Sequence, residues 1–292
     1  MASMMQIIEL LLPRILKKVN SRQKRKKTGI FKSLLLIFGC WLLTVEGISA
    51  AELAEILERG QLIVGVKDNL RPLGFRDGEG NLQGLEIDIA RKLAEELFGD
   101  RNAIILQPVT NAERLNAAIA QEVDLTIARV GVNSSRSRLI NFSRYYYFDS
   151  TGFITREANI NSRIDLKYRK VAVLERSSTI AIVRHAIPEV QLMGVKSYQE
   201  ALTLLEAGEI AAFAGDRSLL TGWVQEYPQY RVLRDRLGGI PLAIVVPKGL
   251  KHSELYLYVN DAIARWQDSG WLQDRINYWG LGNFPEGEEN GQ

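Results

Sequence analysis

Leu62-Ile-Val-Gly-Val66 opens the alternation that decides the fold. A short apolar run, rich in β-branched side chains and following the Gly60 stop, predicts a buried strand. After the turn signal Asp77-Gly-Glu-Gly80, residues 86–97 place Ile89, Leu93 and Leu97 four apart, the spacing of one helix face. Ile104-Ile-Leu106 then predicts a strand, residues 112–120 a helix with Leu115 and Ile119 inward, and residues 123–128 a further strand. Strands alternating with amphipathic helices predict a mostly parallel sheet covered by helices.

Working outward, residues 52–59 put Leu53, Ile56 and Leu57 on one helical face. Downstream the pattern restarts. Residues 148–155 are extended and contain Gly152, residues 156–170 are polar, and residues 171–174 predict a strand before a helix at 178–185. Ser197-Tyr-Gln-Glu200 is a capping box ahead of Leu202, Leu204 and Leu205. Strands at 210–214 and 242–246 and helices at 218–225 and 254–268 complete the series. The reading is an α/β chain of two lobes: residues 52–148 with 243–285, and residues 153–237. Residues 149–152 and 238–242 cross between them, and a pair of crossing strands suits hinge closure around a ligand. Residues 286–292 read as a disordered polar tail.

The 292 residues are 46% hydrophobic and 24% charged with 8 Pro, a globular profile that excludes a collagenous or wholly disordered chain. The net charge of +3 averages unlike segments. Residues 1–51 hold nine Lys or Arg against Glu9 and Glu46, and the remainder holds 28 basic and 32 acidic side chains, a net of −4. The basic character belongs to the leader, so a nucleic-acid partner is not expected. Lys24-Arg25-Lys26-Lys27 and Lys32, then the apolar residues 33–45, then Ser49, Ala50 and Ala51, form the layout of a cleavable signal peptide. Cleavage is placed after Ala51. An uncleaved anchor is the alternative, and Cys40 lacks the surroundings of a lipid-modified cysteine. With one Cys, in the leader, and only His185 and His252, neither a metal centre nor an internal disulfide is expected. No Ser/His/Asp order or phosphate loop stands out, and no cofactor is implied.

Several ordered motifs together resemble the family-3 solute receptors, the periplasmic amino-acid-binding proteins of ABC importers. They are Pro72-Leu-Gly-Phe-Arg-Asp-Gly78 after the first strand, Gly84-Leu-Glu-Ile-Asp-Ile-Ala90, and Val123-Asp-Leu-Thr-Ile-Ala128 with Ser135-Arg136 and Asn141-Phe-Ser143. Ala214-Gly-Asp216 and Ser269-Gly-Trp-Leu272 with Trp279 close the series. The resemblance implies a type II periplasmic-binding-protein fold, an amino-acid ligand, membrane permease partners, a monomer in the periplasm and no catalysis. It makes Arg136, beside the cap-like Asn133-Ser134-Ser135, the receptor of the ligand's α-carboxylate, a role that suits a bidentate guanidinium. It gives Asp216, with helix capping as the bland alternative, the α-ammonium, and Ser177 or, by preference, Ser178 a hydroxyl contact. Gly131 stands where many members carry Ser or Thr, leaving its backbone N–H. Lys67 and Arg129 would add positive charge to the pocket and favour acidic or polar amino acids. An alternative is a dehydratase-like enzyme, with Glu175 as its acid, and a third class is a sensory module.

Overall fold

The computed structural model describes residues 52–282, so the predicted signal peptide with Cys40 and the predicted tail lie outside the described residues. Helix α1 (Glu52–Arg59) buries Ile56 and ends at Gly60. Strand β1 (Leu62–Val66) leads into three short antiparallel strands, β2 (Asn69–Leu70), β3 (Gly74–Arg76) and β4 (Leu82–Gln83), which form a sheet of their own. The Asp77 carboxylate closes the expected turn by accepting the Glu79 and Asn81 N–H groups at 3.0 and 2.9 Å.

Helix α2 (Leu85–Phe98) starts without a side-chain cap. Its first donors go to backbone instead, Leu85 N–H to the Pro72 carbonyl at 3.0 Å and Glu86 N–H to that of Leu73 at 2.8 Å. Only glycine permits this approach. Gly84 has φ 127°, and a Cβ there would stand 2.2 Å from the Leu73 oxygen. The arrangement fixes where Glu86 emerges, on the buried face that also carries Ile87, Ile89 and Leu93.

Strand β5 (Ile104–Pro108), the four-residue helix α3 (Asn116–Ile119) and strand β6 (Leu125–Ile127) follow. Both strands flank β1 and run parallel to it. The expected inward Ile119 is instead 44% exposed, because the short helix turns Ala117 and Ala118 to the core. Strand β7 (Ile140–Thr155) is twice the length read from the sequence. Beyond it lie β8 (Lys170–Leu174), α4 (Thr179–Ala186), β9 (Gln191–Val195) and α5 (Tyr198–Ala207). Ser197 caps α5 as expected, accepting the Glu200 N–H at 3.1 Å. Then come β10 (Ala212–Asp216), α6 (Arg217–Glu226), β11 (Arg231–Val232), β12 (Leu237–Pro247), α7 (Ser253–Asp268) and α8 (Trp271–Tyr278).

The main sheet has the order β5-β1-β6-β12-β7-β10-β8-β9, with β11 also on β7. A parallel trio stands at each end, and an antiparallel pair, β7 with β12, joins them. One core gathers on the β1 side around Leu62, Ile87 and Ile263, another on the β10 side around Phe153, Val171 and Val183. The described residues belong to one compact unit. Contact away from the joining strands is made by α6, where a Cβ on Gly222 would lie 2.0 Å from the Arg71 oxygen.

Gly84→Ala is expected to destabilise the protein by about 3 kcal/mol, since it combines a left-handed backbone with a clash against a carbonyl that cannot move away. Denaturant unfolding measures it; a loss below about 0.5 kcal/mol would show that α2 starts without this approach.

Candidate functional site

A cavity of about 280 Å³ lies beside the joining strands, and its wall includes Arg114, Arg129, Arg136, Asp149 and Asp216. The wall is built from the end of β6 outward. Arg129 follows that strand in a left-handed conformation, φ 50°. Its N–H donates to Glu86 Oε1 at 2.6 Å and its carbonyl accepts from Arg114 Nη1 at 2.6 Å, so the residue is held from both sides. The guanidinium pairs with Asp149 at 3.3 Å and closely with Asp216. Burial alone would lower its pKa, but Asp216 and Asp149 outweigh that and raise it.

Asp149 is the centre of this network. It sits in β7, almost fully buried, and accepts the Ser218 N–H at 3.0 Å and the Ser218 hydroxyl at 2.6 Å. It thereby ties β7 to the first turn of α6 as well as to Arg129. Burial pushes its carboxyl above the usual range, despite the opposing Arg129 and Ser218. Glu86 is buried completely beneath Arg129 and accepts the Tyr146 hydroxyl at 2.5 Å, while its Oε2 has no partner. Burial raises its pKa too.

The expected site residues separate into two groups. Arg136, Gly131, Arg129, Ser178 and Asp216 all line this cavity, whereas Lys67 and Ser177 do not. Arg136 heads a single 3-10 turn, its N–H spent on Asn133 Oδ1 at 2.9 Å and its Nη1 donating to the Gly131 carbonyl at 2.8 Å. Asp216 ends β10 and occupies the N-cap position of α6, but its side chain makes no capping bond. Ser177 is turned away, its hydroxyl donating to the Leu174 carbonyl at 2.8 Å. Two of the expected residues have partners that the sequence does not show. Arg129 lines the cavity paired with two carboxylates. Lys67 donates to the Val109 carbonyl at 3.0 Å, and burial desolvates its ammonium and lowers its pKa. Glu175 is exposed outside the cavity, its side chain lying against Gly194.

Ile240 completes the wall through a bulge. Leu237 pairs with Thr151 and Ile240 with Asp149, so β12 spends one extra residue there. Without it Gly239 would oppose Asp149; with it Ile240 does, and opposed residues share a face. The Ile240 methyl thus stands 2.5 Å from where a Gly131 Cβ would be. A side chain at 131 would meet Ile240 unless one of the two moved.

A family model described as bacterial extracellular solute-binding proteins, family 3, matches residues 62–282. The chain belongs to that family. A relative, the glutamine-binding protein of Geobacillus stearothermophilus, is 34% identical over 203 residues, covering 68% of this chain and 78% of its own. The glutamate-binding protein GluB of Corynebacterium glutamicum is 27% identical over 193 residues, 63% of this chain and 65% of its own. Among solved structures, the solute receptor for L-cysteine of Neisseria gonorrhoeae superposes with a TM-score of 0.61 at 27% identity, over 80% of this chain and 97% of that one. An ancestral cationic amino acid solute binding protein gives 0.67 at 24% identity, over 78% and 98%, a likeness of fold. The family-3 chain therefore has the two-lobed type II architecture expected from its motifs.

Residue-by-residue reading of the sequence misses Glu86, Arg114, Asp149, Ser218 and Ile240. Glu86 stands inside the motif at residues 84–90 and Asp149 inside an expected crossover, so position was the available signal. Gly131→Ser is expected to destabilise the protein by about 1–3 kcal/mol through overpacking against Ile240, with Ile240→Ala restoring most of the loss. Additive losses in the double variant, measured by thermal unfolding, would disprove the contact. The raised folded pKa of Glu86 makes its contribution to stability full below the ordinary glutamate value and lost as pH rises through the folded one. Glu86→Gln should accordingly flatten the decline in unfolding free energy as pH rises above the ordinary glutamate range. Parallel curves for the two proteins would remove Glu86 as the source.

Proposed function

We propose that the chain is the extracytoplasmic receptor of an ABC importer, capturing an amino acid with an acidic or amide side chain and handing it unchanged to membrane permease subunits. The observation that carries this reading is the cavity beside β7 and β12, where Arg136 and Arg114 from one half meet Asp216 and Ser178 from the other. Arg114, Arg129 and Arg136 against Asp149 and Asp216 leave the wall one positive charge in excess, which complements a ligand of net charge −1. The name of the glutamate-binding relative agrees with that charge, and the name of the glutamine-binding relative with an amide side chain. Export by a cleaved leader, a monomeric state and the absence of catalysis belong to the same proposal. Glu175, the acid named for a dehydratase, lies outside the cavity.

Capture is proposed to proceed by rotation about residues 149–152 and 238–242, with α6 as the closing face. The Gly222 approach to Arg71, and the Arg71–Glu226 ion pair at 3.4 Å, are the contacts such a rotation would make and break.

Calorimetric titration with the twenty amino acids, after unfolding and refolding to remove co-purified ligand, tests the reading. Glutamate or glutamine should bind, and Arg136→Ala should weaken binding at least about tenfold, since truncating one partner of a desolvated pair costs ~2–5 kcal/mol. Silence toward all twenty would refute the receptor. Gly222→Val should weaken the same ligand without touching the cavity, and small-angle scattering should no longer register contraction on binding. Wild-type affinity and contraction in that variant would remove α6 from the closing face.

A further inference from the structure

We propose that a pocket between α2 and α8, in the half built around β1, is a second site that takes a phosphate group. The inference stands apart from the receptor reading and uses none of its residues.

Three arginines meet in this pocket of about 110 Å³: Arg91 from α2, Arg101 from the turn after it, and Arg275 from α8. Among the described residues, none of the three guanidiniums makes a hydrogen bond or an ion pair. Arg275 lies over the exposed Tyr278 ring, 4.8 Å from its centre, and its N–H groups keep no acceptor there. Arginines elsewhere are spent differently, as Arg169 is on Glu157 and Arg265 on Glu96.

Two carboxylates share the wall. Glu95 pairs with Lys92 at 3.0 Å, and Asp88 accepts the Trp279 indole N–H at 2.9 Å while keeping its charge. Arg91, Lys92, Arg101 and Arg275 against Asp88 and Glu95 therefore leave two positive charges in excess. This excess sits on residues 52–292, whose own net charge is −4. Like charges gathered at one point repel, and a dianion relieves them.

Guanidinium chemistry narrows the ligand. Planar forks match phosphate oxygens in bidentate fashion, and three forks around one point suit four oxygens better than the two of a carboxylate. A cavity of roughly 150 Å³ holds benzene, so this one suits a single phosphate group and not a nucleotide. Its frame is firm, since Trp271 closes one wall with its ring 5.0 Å from that of Trp266. Asp88, Arg91, Lys92 and Glu95 share one face of α2. A free ion and a lipid headgroup offer the same chemistry.

Calorimetric titration of the purified protein with inorganic phosphate tests the site, with chloride at matched ionic strength as the control. Phosphate should bind, and Arg91→Gln or Arg275→Gln should each weaken it about tenfold, the loss of one charge-assisted contact. Asp88→Asn keeps an acceptor for Trp279 and removes a negative charge, so it should tighten phosphate. A merely structural role would weaken binding in all three variants and overturn the proposal. Arg136→Ala should lose the amino acid and keep the phosphate, and Arg275→Gln should do the reverse. Phosphate lost in Arg136→Ala but kept in Arg275→Gln would move the ion to the amino-acid cavity and overturn the proposal. Silence toward phosphate, or equal binding of chloride, would overturn it too, and neither result touches the receptor. Sedimentation with phosphatidylcholine vesicles containing phosphatidic acid separates the sources. Co-sedimentation that phosphate displaces and Arg275→Gln abolishes assigns the lipid headgroup; phosphate binding with the protein left in the supernatant assigns the free ion.

Discussion

The antiparallel ladder between β7 and β12 is the constraint on which the rest of the molecule depends. Every other pairing in the two flanking trios is parallel, and parallel strands need helical crossovers that bury both faces of the sheet. Two such units can share one sheet only if some strand passes from one to the other. β7 does so going out and β12 coming back, paired from Pro247 with Ile140 to Leu237 with Thr151. The chain therefore crosses twice between the two trios, and the cavity beside the crossing is lined from both sides of it.

A carboxylate at the middle of such a ladder is costly unless it is partnered, and Asp149 is 4% exposed. Its partners come from opposite sides, Arg129 at the end of β6 and Ser218 at the start of α6. The charge that would otherwise destabilise the crossing instead specifies how the two halves meet around it. Glu86 has the corresponding role beneath Arg129, taking the Arg129 N–H and the Tyr146 hydroxyl on a single oxygen. The left-handed turn at Arg129 has a cost of its own. Hydrogen bonds at both of its peptide groups hold the backbone in place, and Asp149 and Asp216 hold the guanidinium in the wall.

Local chemistry made some of this legible. Leu62-Ile-Val-Gly-Val66 could be little but a buried strand, and the four-residue spacing of Ile89, Leu93 and Leu97 announced α2. Ser197 and Glu200 marked the start of α5. The first half of β7 was hidden because Asn141, Ser143, Arg144 and Tyr145 interrupt its apolar run, and pairing with β12 overrides their weak local preference. Asp216 and Arg136, which both line the cavity, were named as single residues at element ends. Their partners were not, since the union of Arg129 with Asp149 and Asp216 depends on sheet order, and no spacing along the chain encodes it. Lys67 illustrates the same point: its neighbour in sequence is Asp68, but its hydrogen-bond partner in space is the Val109 carbonyl.

The bulge in β12 shows how far one residue can carry. In a regular ladder a glycine would face the cavity opposite Asp149, leaving room above Gly131 for a hydroxyl-bearing side chain. The extra residue exchanges that glycine for Ile240 and places Gly238, at φ 52°, and Gly239 in the irregular stretch instead. Gly239 lies so close to the Phe148 ring that a Cβ would stand 1.9 Å from it, so it tolerates no side chain there. The same insertion thus weakens the ladder where a hinge would bend and chooses the apolar surface that the ligand would meet. Ladder regularity and wall chemistry are set together by the register of one strand, and a change that regularised the strand would alter both.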